Sequence, residues 1–273
     1  MRKNVIKVSK CPLNLSIKIL YMKNFLPLLV LLVTGLMVKA QTADDVIGKY
    51  VEAMGGIEKL NSIKSLYMEG VSVGPNGMEI TSKTYKVQDK LYRQEVDFGM
   101  GSFTMIVTDK EAWFSNPRNG GEFEAMPAEG RAAMTQELDC VFPLINYSAK
   151  GHKAELIGTE TIEGATTYKI KLTLKNGLVI NYFIDNKNWY VIRTSAAGGG
   201  MMGMGGGGRG QGQGQGGPPQ EMNTDYSDYK KTKDGFVFPM TITRPGMGGR
   251  GMATNIEKID VNMPVDEKLY KPE

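Results

Sequence analysis

The pair Asn176-Gly177, together with its flanks, constrains this chain more than any other feature. Before it, Tyr168, Ile170, Leu172 and Leu174 alternate with Lys169, Lys171 and Thr173. After it, Leu178, Ile180, Tyr182 and Ile184 carry the alternation back. Strict period-2 patterning across Asn-Gly specifies a β-hairpin with one apolar face, because a type I′ turn needs positive φ at both central positions. The same pattern recurs over 65–260. It predicts strands at Ser65–Val73, 78–88, 90–98, 101–108, 111–116, Lys153–Ile162, 165–174, 178–185, 190–195, Glu221–Lys231, 236–244 and 253–260. That is about a dozen strands, read as one antiparallel meander in a mainly β (α+β) chain. A sheet of this size curls or closes rather than lying flat.

Helical segments interrupt the pattern at two places. Thr42 is placed to cap a helix whose first turn holds Asp44 and Asp45, which suits the positive end of the helix dipole. Val46, Ile47, Tyr50, Val51 and Met54 follow at helical spacing, and Gly55-Gly56 ends the run. Residues 57–63 read as a second short turn. Midway, 127–138 is a helix with Pro127 in its first turn, and 140–147 is an apolar stretch that reads as a further helical turn.

An export leader precedes all of this. Met22-Lys23-Asn24 is a basic n-region, 25–38 an apolar core, and Val38-Lys39-Ala40 a small-residue exit, so cleavage is expected after Ala40. The apolar run of about fourteen residues falls short of the ~20 that a spanning helix needs. Residues 1–21 are basic and unpatterned: either they lie upstream of the true start or they lengthen the n-region. The mature chain, 41–273, is then one domain in the periplasm, either free or associated with the outer membrane. Of the 33 Lys and Arg, seven fall in residues 1–40, which hold no acid. The remaining 26 stand against 29 acids, and the whole chain's +4 becomes −3. No basic patch or stripe remains, so nucleic acid is not an expected partner. Cys11 leaves with the leader, so Cys140 has no intramolecular partner and is expected to be buried.

Residues 197–220 break every pattern. Thirteen glycines leave the segment too entropic to order, and it reads as a disordered, Gly/Met/Gln-rich hairpin-loop insertion. A shorter version occurs at 245–252. In a meander alternate turns emerge at the same end, which sends Met201, Met202, Met204, Met247 and Met252 to one rim. Three readings of that rim stand: soft thioether ligands for Cu(I), a greasy contact surface, or inert low complexity.

Enzymatic chemistry has little to work with. The single histidine, His152, lies in Lys150-Gly151-His152-Lys153, a turn more suited to solvation than to proton transfer. One His and one Cys cannot supply the usual zinc sets, and no Ser/His/Asp or Cys/His arrangement can be assembled. Carboxylates such as Asp97, Asp109, Glu122 and Asp228 show no sign of sharing a site. No catalytic residue, metal or cofactor is expected.

Four stretches carry a resemblance: 43–65 (ADDVIGKYVEAMGGIEKLNSIKS), 109–117 (DKEAWFSNP), 147–164 (YSAKGHKAELIGTETIEG) and 226–239 (YSDYKKTKDGFVFP). In this order they resemble the exported outer-membrane lipoprotein-sorting proteins common in Bacteroidetes, a family similar to the LolA/LolB lipoprotein carriers. The resemblance implies a strongly curved, incompletely closed antiparallel barrel with helices as a lid. It also implies a monomeric, non-enzymatic carrier of lipid or lipoprotein acyl chains, with acceptor proteins at the inner or outer membrane as partners. The glycine-rich insertion is an addition to that pattern. Each CH₂ withdrawn from water is worth roughly 0.8 kcal/mol, so a sixteen-carbon chain resists aqueous transfer by about 12 kcal/mol. A carrier therefore needs a dry wall and a cover. The inward wall candidates are Leu66 or Met68, then Phe103, Met105, Trp113, Ile180, Tyr182, Phe236 and Phe238; the lid candidates are Val46, Ile47, Tyr50, Met54, Met134 and Leu138. The alternative is an envelope interaction module of the same fold, with a filled interior, docking partners through the Gly/Met-rich rim.

Overall fold

The computed structural model describes residues 41–74, 77–115, 117, 120–197, 221–245 and 251–272. The expected leader with its cleavage point after Ala40, the insertion beyond Ala197 with Met201, Met202 and Met204, and Met247 lie outside the described residues. Met1–Gln41 is one unit and Thr42–Glu273 another, and the sheet belongs wholly to the second.

Among the described residues thirteen strands form one antiparallel sheet: β1 Ser65–Val73, β2 Glu79–Val87, β3 Leu91–Asp97, β4 Ser102–Thr108, β5 Ala112–Ser115, β6 Phe123–Ala125, β7 Lys153–Ile162, β8 Ala165–Thr173, β9 Val179–Asp185, β10 Val191–Ala197, β11 Glu221–Lys231, β12 Val237–Pro245 and β13 Gly251–Val261. Their spatial order, β6-β5-β4-β3-β2-β1-β13-β12-β11-β10-β9-β8-β7, corrects the single meander. Two meanders, β1–β6 and β7–β13, are joined at mid-sheet by the pairing of β1 with β13. The edges are β6 and β7, and the chain crosses between them through 126–152. The sheet is therefore a strongly curved barrel left open along one seam.

The hairpin at Asn176-Gly177 is present, with a different turn. Leu174 N–H bonds to Leu178 O (2.8 Å) and Gly177 N–H to Leu174 O (2.9 Å), with positive φ at Gly177 and not at Asn176. This is a three-residue loop, a type I turn closed by a left-handed glycine, rather than type I′. The two-residue loop with positive φ at both positions is Glu163-Gly164, φ 49° and 84°, between paired Ile162 and Ala165.

The helices are α1 Ala43–Ala53, α2 Ile57–Asn61 and α3 Ala128–Met134, the last continuing as a 3₁₀ turn Thr135–Leu138. Thr42 and Asp45 form a reciprocal capping box, the Thr42 hydroxyl accepting from Asp45 N–H (3.2 Å) and the Asp45 carboxylate from Thr42 N–H (2.9 Å). A terminal 3₁₀ turn, Glu267–Tyr270, lies against the outside of β3 and β4. At Gly70, where β1 shifts register against β13, a Cβ would come within 2.7 Å of Thr254 Cγ2 and 3.1 Å of Ser82 Oγ. A larger residue there would have to push the Thr254 and Ser82 side chains aside.

Candidate functional site

Residues directly opposite in an antiparallel ladder share a face, so register decides which side chains look inward. Met68 pairs with Thr84, Thr84 with Gln94, Gln94 with Met105, and Met105 with Phe114. In the other direction Met68 pairs with Ile259. In the second meander Ile180 pairs with Leu172, and Tyr182 with Ile170. These positions line the concave side, where α1, α3 and the segment 139–147 cover them. Phe103, Phe236 and Phe238 face the same way: Phe103 packs with Met105 and Val107, and the other two pack with Leu66 and Met68.

Trp113 is the exception. It pairs with Ile106, which continues through Arg93 and Tyr85 to Tyr67 on the convex side. A four-residue strand cannot declare its faces by period. Thr108 sets its register: its hydroxyl donates to Glu111 O (2.9 Å) and accepts from Glu111 N–H (2.9 Å), which places Ala112 opposite Val107. Phe114 therefore holds the inward position. Trp113 instead lines a cleft of about 330 Å³ at the β5–β6 edge with Lys110, Ala125 and Arg131.

The lid candidates pack on two patches of wall. Val46, Ile47, Tyr50 and Met54 pack on Ile170, Leu172, Tyr182 and Ile184. Met134 and Leu138 pack on Tyr92, Phe103, Met105 and Val107. A third part of the cover is the irregular segment 139–147. Leu144 and Ile145 are buried, and the Phe142 ring stands edge-on to Tyr182 (5.6 Å) and Tyr226 (5.1 Å). Its apolar composition is visible in the sequence; its covering role is not. Tyr147 donates to Asp44 and Asn146 to Asn61 (2.6 Å), which ties this segment to α1 and α2.

The covered wall is not uniformly apolar. Lys86 faces inward from β2 and donates to Glu137 (3.2 Å) and to Asp139 O (3.1 Å). Burial alone would raise the Glu137 carboxyl; the Lys86 ammonium and the Arg244 guanidinium outweigh it and hold it below its ordinary value. Asp139 also accepts from Lys150 (2.5 Å) and Gln88 (2.9 Å). Gln94 Oε1 is buried between the rows of Thr84 and Met105 without a hydrogen-bond partner among the described residues. Toward the end of the concave side where β12 meets β13, Ile180, Met222, Ile242 and Met252 are only half-buried. The one rim methionine among the described residues, Met252, packs beside Ile80, Phe98 and Met78.

Cys140 is buried, and burial pushes its thiol up to about 11, so it is an inert core residue. His152 Nδ1 accepts from Lys175 N–H (3.2 Å), a hairpin contact. Among the described residues no three of His, Cys, Asp or Glu gather as metal ligands, and no helix is long and apolar enough to cross a membrane.

No protein-family model matches the sequence, and no curated protein matches it. Solved structures match the fold. A DUF1329 family protein from Desulfovibrio piger aligns at TM-score 0.53 with 12% identity, covering 85% of this chain and 98% of its own. A LolA superfamily protein from Nitrosomonas europaea aligns at TM-score 0.52 with 10% identity, covering 85% and 99%. At such identities the likeness is one of backbone architecture. The chain has the LolA-type fold: a curved, unclosed antiparallel barrel with helices over its concave side.

Proposed function

We propose that the protein is an exported, non-enzymatic carrier that shelters an acyl chain of a lipid or lipoprotein against the concave face, beneath α1, α3 and the segment 139–147. Cleavage after Ala40 would release it to the periplasm as a single domain, 41–273. The observation that carries the reading is the nature of the cover. A second sheet would close this face permanently, as in a β-sandwich. Here the cover is two short helical pieces and an irregular strand of chain. Polar ties at its margins, Tyr147 to Asp44, Asn146 to Asn61 and Lys86 to Glu137, hold it in place. Such a cover can lift without unpairing the sheet. The half-buried Ile180, Met222, Ile242 and Met252 continue the apolar wall past its margin.

A second reading, the interaction module with a filled interior, draws on Met105, Ile170, Leu172 and Tyr182, each no more than 1% exposed. The test is direct. Residues 42–273, purified from cells, should carry extractable lipid or bind a fluorescent fatty acid one to one. Absence of copurifying lipid together with no probe uptake at micromolar concentration overturns the carrier. Deleting 198–219 leaves uptake intact if the carrier reading holds; loss of partner capture with no uptake at any stage identifies the module.

A further inference from the structure

Of the four arginines among the described residues, three have partners. Arg93 donates to Glu95 (2.7 Å), Arg131 to Asp109 O (3.1 Å), and Arg193 to Asp225 (3.0 Å) and Glu163 (3.3 Å). Arg244 is exposed and has neither a hydrogen bond nor an ion pair among the described residues.

On the convex side such a residue would be an ordinary solvated charge, but register puts Arg244 on the other side. Ile242 pairs with Tyr226 on β11 and with Thr254 on β13, and Arg244, two residues on, pairs with Met252. These neighbours look inward: Tyr226 packs against Phe142, and Met252 beside Ile80. Continuing the β11–β12 register sets Thr224 opposite Arg244; Thr224 pairs with Thr194, and Thr194 with the inward Tyr182. The reach of the charge agrees. Burial raises the Tyr92 and Tyr226 phenols, Glu137 adds to the rise at Tyr92, and the Arg244 guanidinium opposes it at both. Tyr92 is on β3 and Tyr226 on β11, with four strands between them, so a cation felt by both stands over the hollow of the sheet.

The carboxylates around it are engaged elsewhere or point away. Glu137 accepts from Lys86 (3.2 Å), and Asp139 from Lys150 and Gln88. Glu79, Asp97 and Glu221 alternate with the inward Ile80, Val96 and Met222 and so face outward, where Glu221 accepts from Ser195 (2.6 Å). What remains is a fork of unsatisfied donors at the margin of an apolar wall. Ile180, Ile242 and Met252 are half-buried, and Phe238 and Phe236 continue the wall beneath the cover. A planar guanidinium matches a carboxylate or a phosphate with two parallel hydrogen bonds.

We propose that Arg244 is an anion subsite of the cavity, holding the carboxylate or phosphate at the polar end of a lipid whose acyl chain lies along Ile242, Phe238 and Phe236. The subsite rests on the carrier reading and adds a substrate class to it, amphiphiles with an anionic end.

The test is equilibrium uptake by residues 42–273, the unit that holds the whole sheet, of three probes of equal chain length: hexadecanoate, hexadecyl phosphate and hexadecanol. At least one of the anions should bind roughly tenfold tighter than hexadecanol, or better. Arg244→Gln should abolish that preference and leave hexadecanol uptake unchanged. Arg244→Lys, which keeps the charge and loses the fork, should retain part of it. The anion whose affinity falls further in Arg244→Gln identifies the group as carboxylate or phosphate. Equal affinity of the parent for all three probes, or a preference that survives Arg244→Gln, overturns the subsite while the carrier stands. An equal loss for hexadecanol and the anions makes Arg244 a structural residue and overturns it too. No uptake of any probe by the parent overturns the carrier reading and the subsite together.

Discussion

The two covered patches of the concave wall are built differently. Over β8 and β9 lies α1, eleven residues long with a capping box, its Val46, Ile47 and Tyr50 seated on Ile170, Leu172 and Tyr182. Lys49 adds a contact over the Trp189 ring at 4.3 Å, and Trp189 stacks on Tyr168. Over β3 and β4 lies α3, seven residues long, with no side-chain cap at Pro127 and with Met134 its one buried residue. Beneath it the wall carries Lys86, tied to Glu137 of the cover itself, and Gln94 Oε1, which has no partner among the described residues. The first patch is packed as a core, and the second as a cover over a partly polar surface. A barrel that opens should therefore open first at α3.

The largest effect separates core from cover. Ile170→Ala removes a fully buried side chain under α1 and should cost roughly 2–5 kcal/mol, read as a lower urea midpoint. Met134→Ala should cost about 2 kcal/mol, the low end for such truncations, because α3 packs over less wall. Amide exchange sharpens the contrast: 128–138 should exchange faster than 43–53 through local opening. Equal protection of both helices breaks the comparison and favours a filled, static barrel. Next is the ionic tie. Glu137→Gln should cost about 1 kcal/mol or less, since its side chain is 36% exposed and screened. Because the folded carboxyl is held below its ordinary value, the stabilisation is complete above the unfolded carboxylate pKa of 4.5. It is lost as pH falls through the lower folded value. The parent should lose stability over that acid window, and Glu137→Gln should show a flatter profile there.

How much of the fold is legible in the sequence follows the physics of period. A strand with one wet face, such as β8, is legible nearly to the residue, because alternation reports burial on one side only. β6 escapes detection: three residues have no period. The β1–β13 pairing escapes because its partners stand some 190 residues apart and no local pattern records it. Trp113 and Phe114 exchange faces for a further reason. The convex side of β3 and β4 is also covered, by the terminal 3₁₀ turn, where Arg93 donates to Leu269 O (3.4 Å) and Lys271 O (3.5 Å). Leu91, Ile106 and Met105 are then all buried, and hydropathy cannot tell the faces apart. The polar residues of the wall are invisible for the complementary reason: by pattern alone Lys86 and Gln94 count as solvent-facing.

Gln94 yields the smallest effect and the finest test of the polar patch. A buried amide oxygen without a partner forfeits the hydrogen bond it would make in water, so replacing it with an apolar side chain of similar length removes a cost. Gln94→Met should raise stability by up to about 1 kcal/mol, read as a higher urea midpoint, in protein stripped of lipid. If the oxygen instead serves a hydroxyl or amide of the cargo, the same variant should weaken uptake of amide-bearing lipids relative to plain fatty acids of equal chain length. Gain of stability with no change in that preference would make the patch under α3 a flaw of packing. Gain of stability with altered preference would make it the place where the barrel reads the polar end of what it holds.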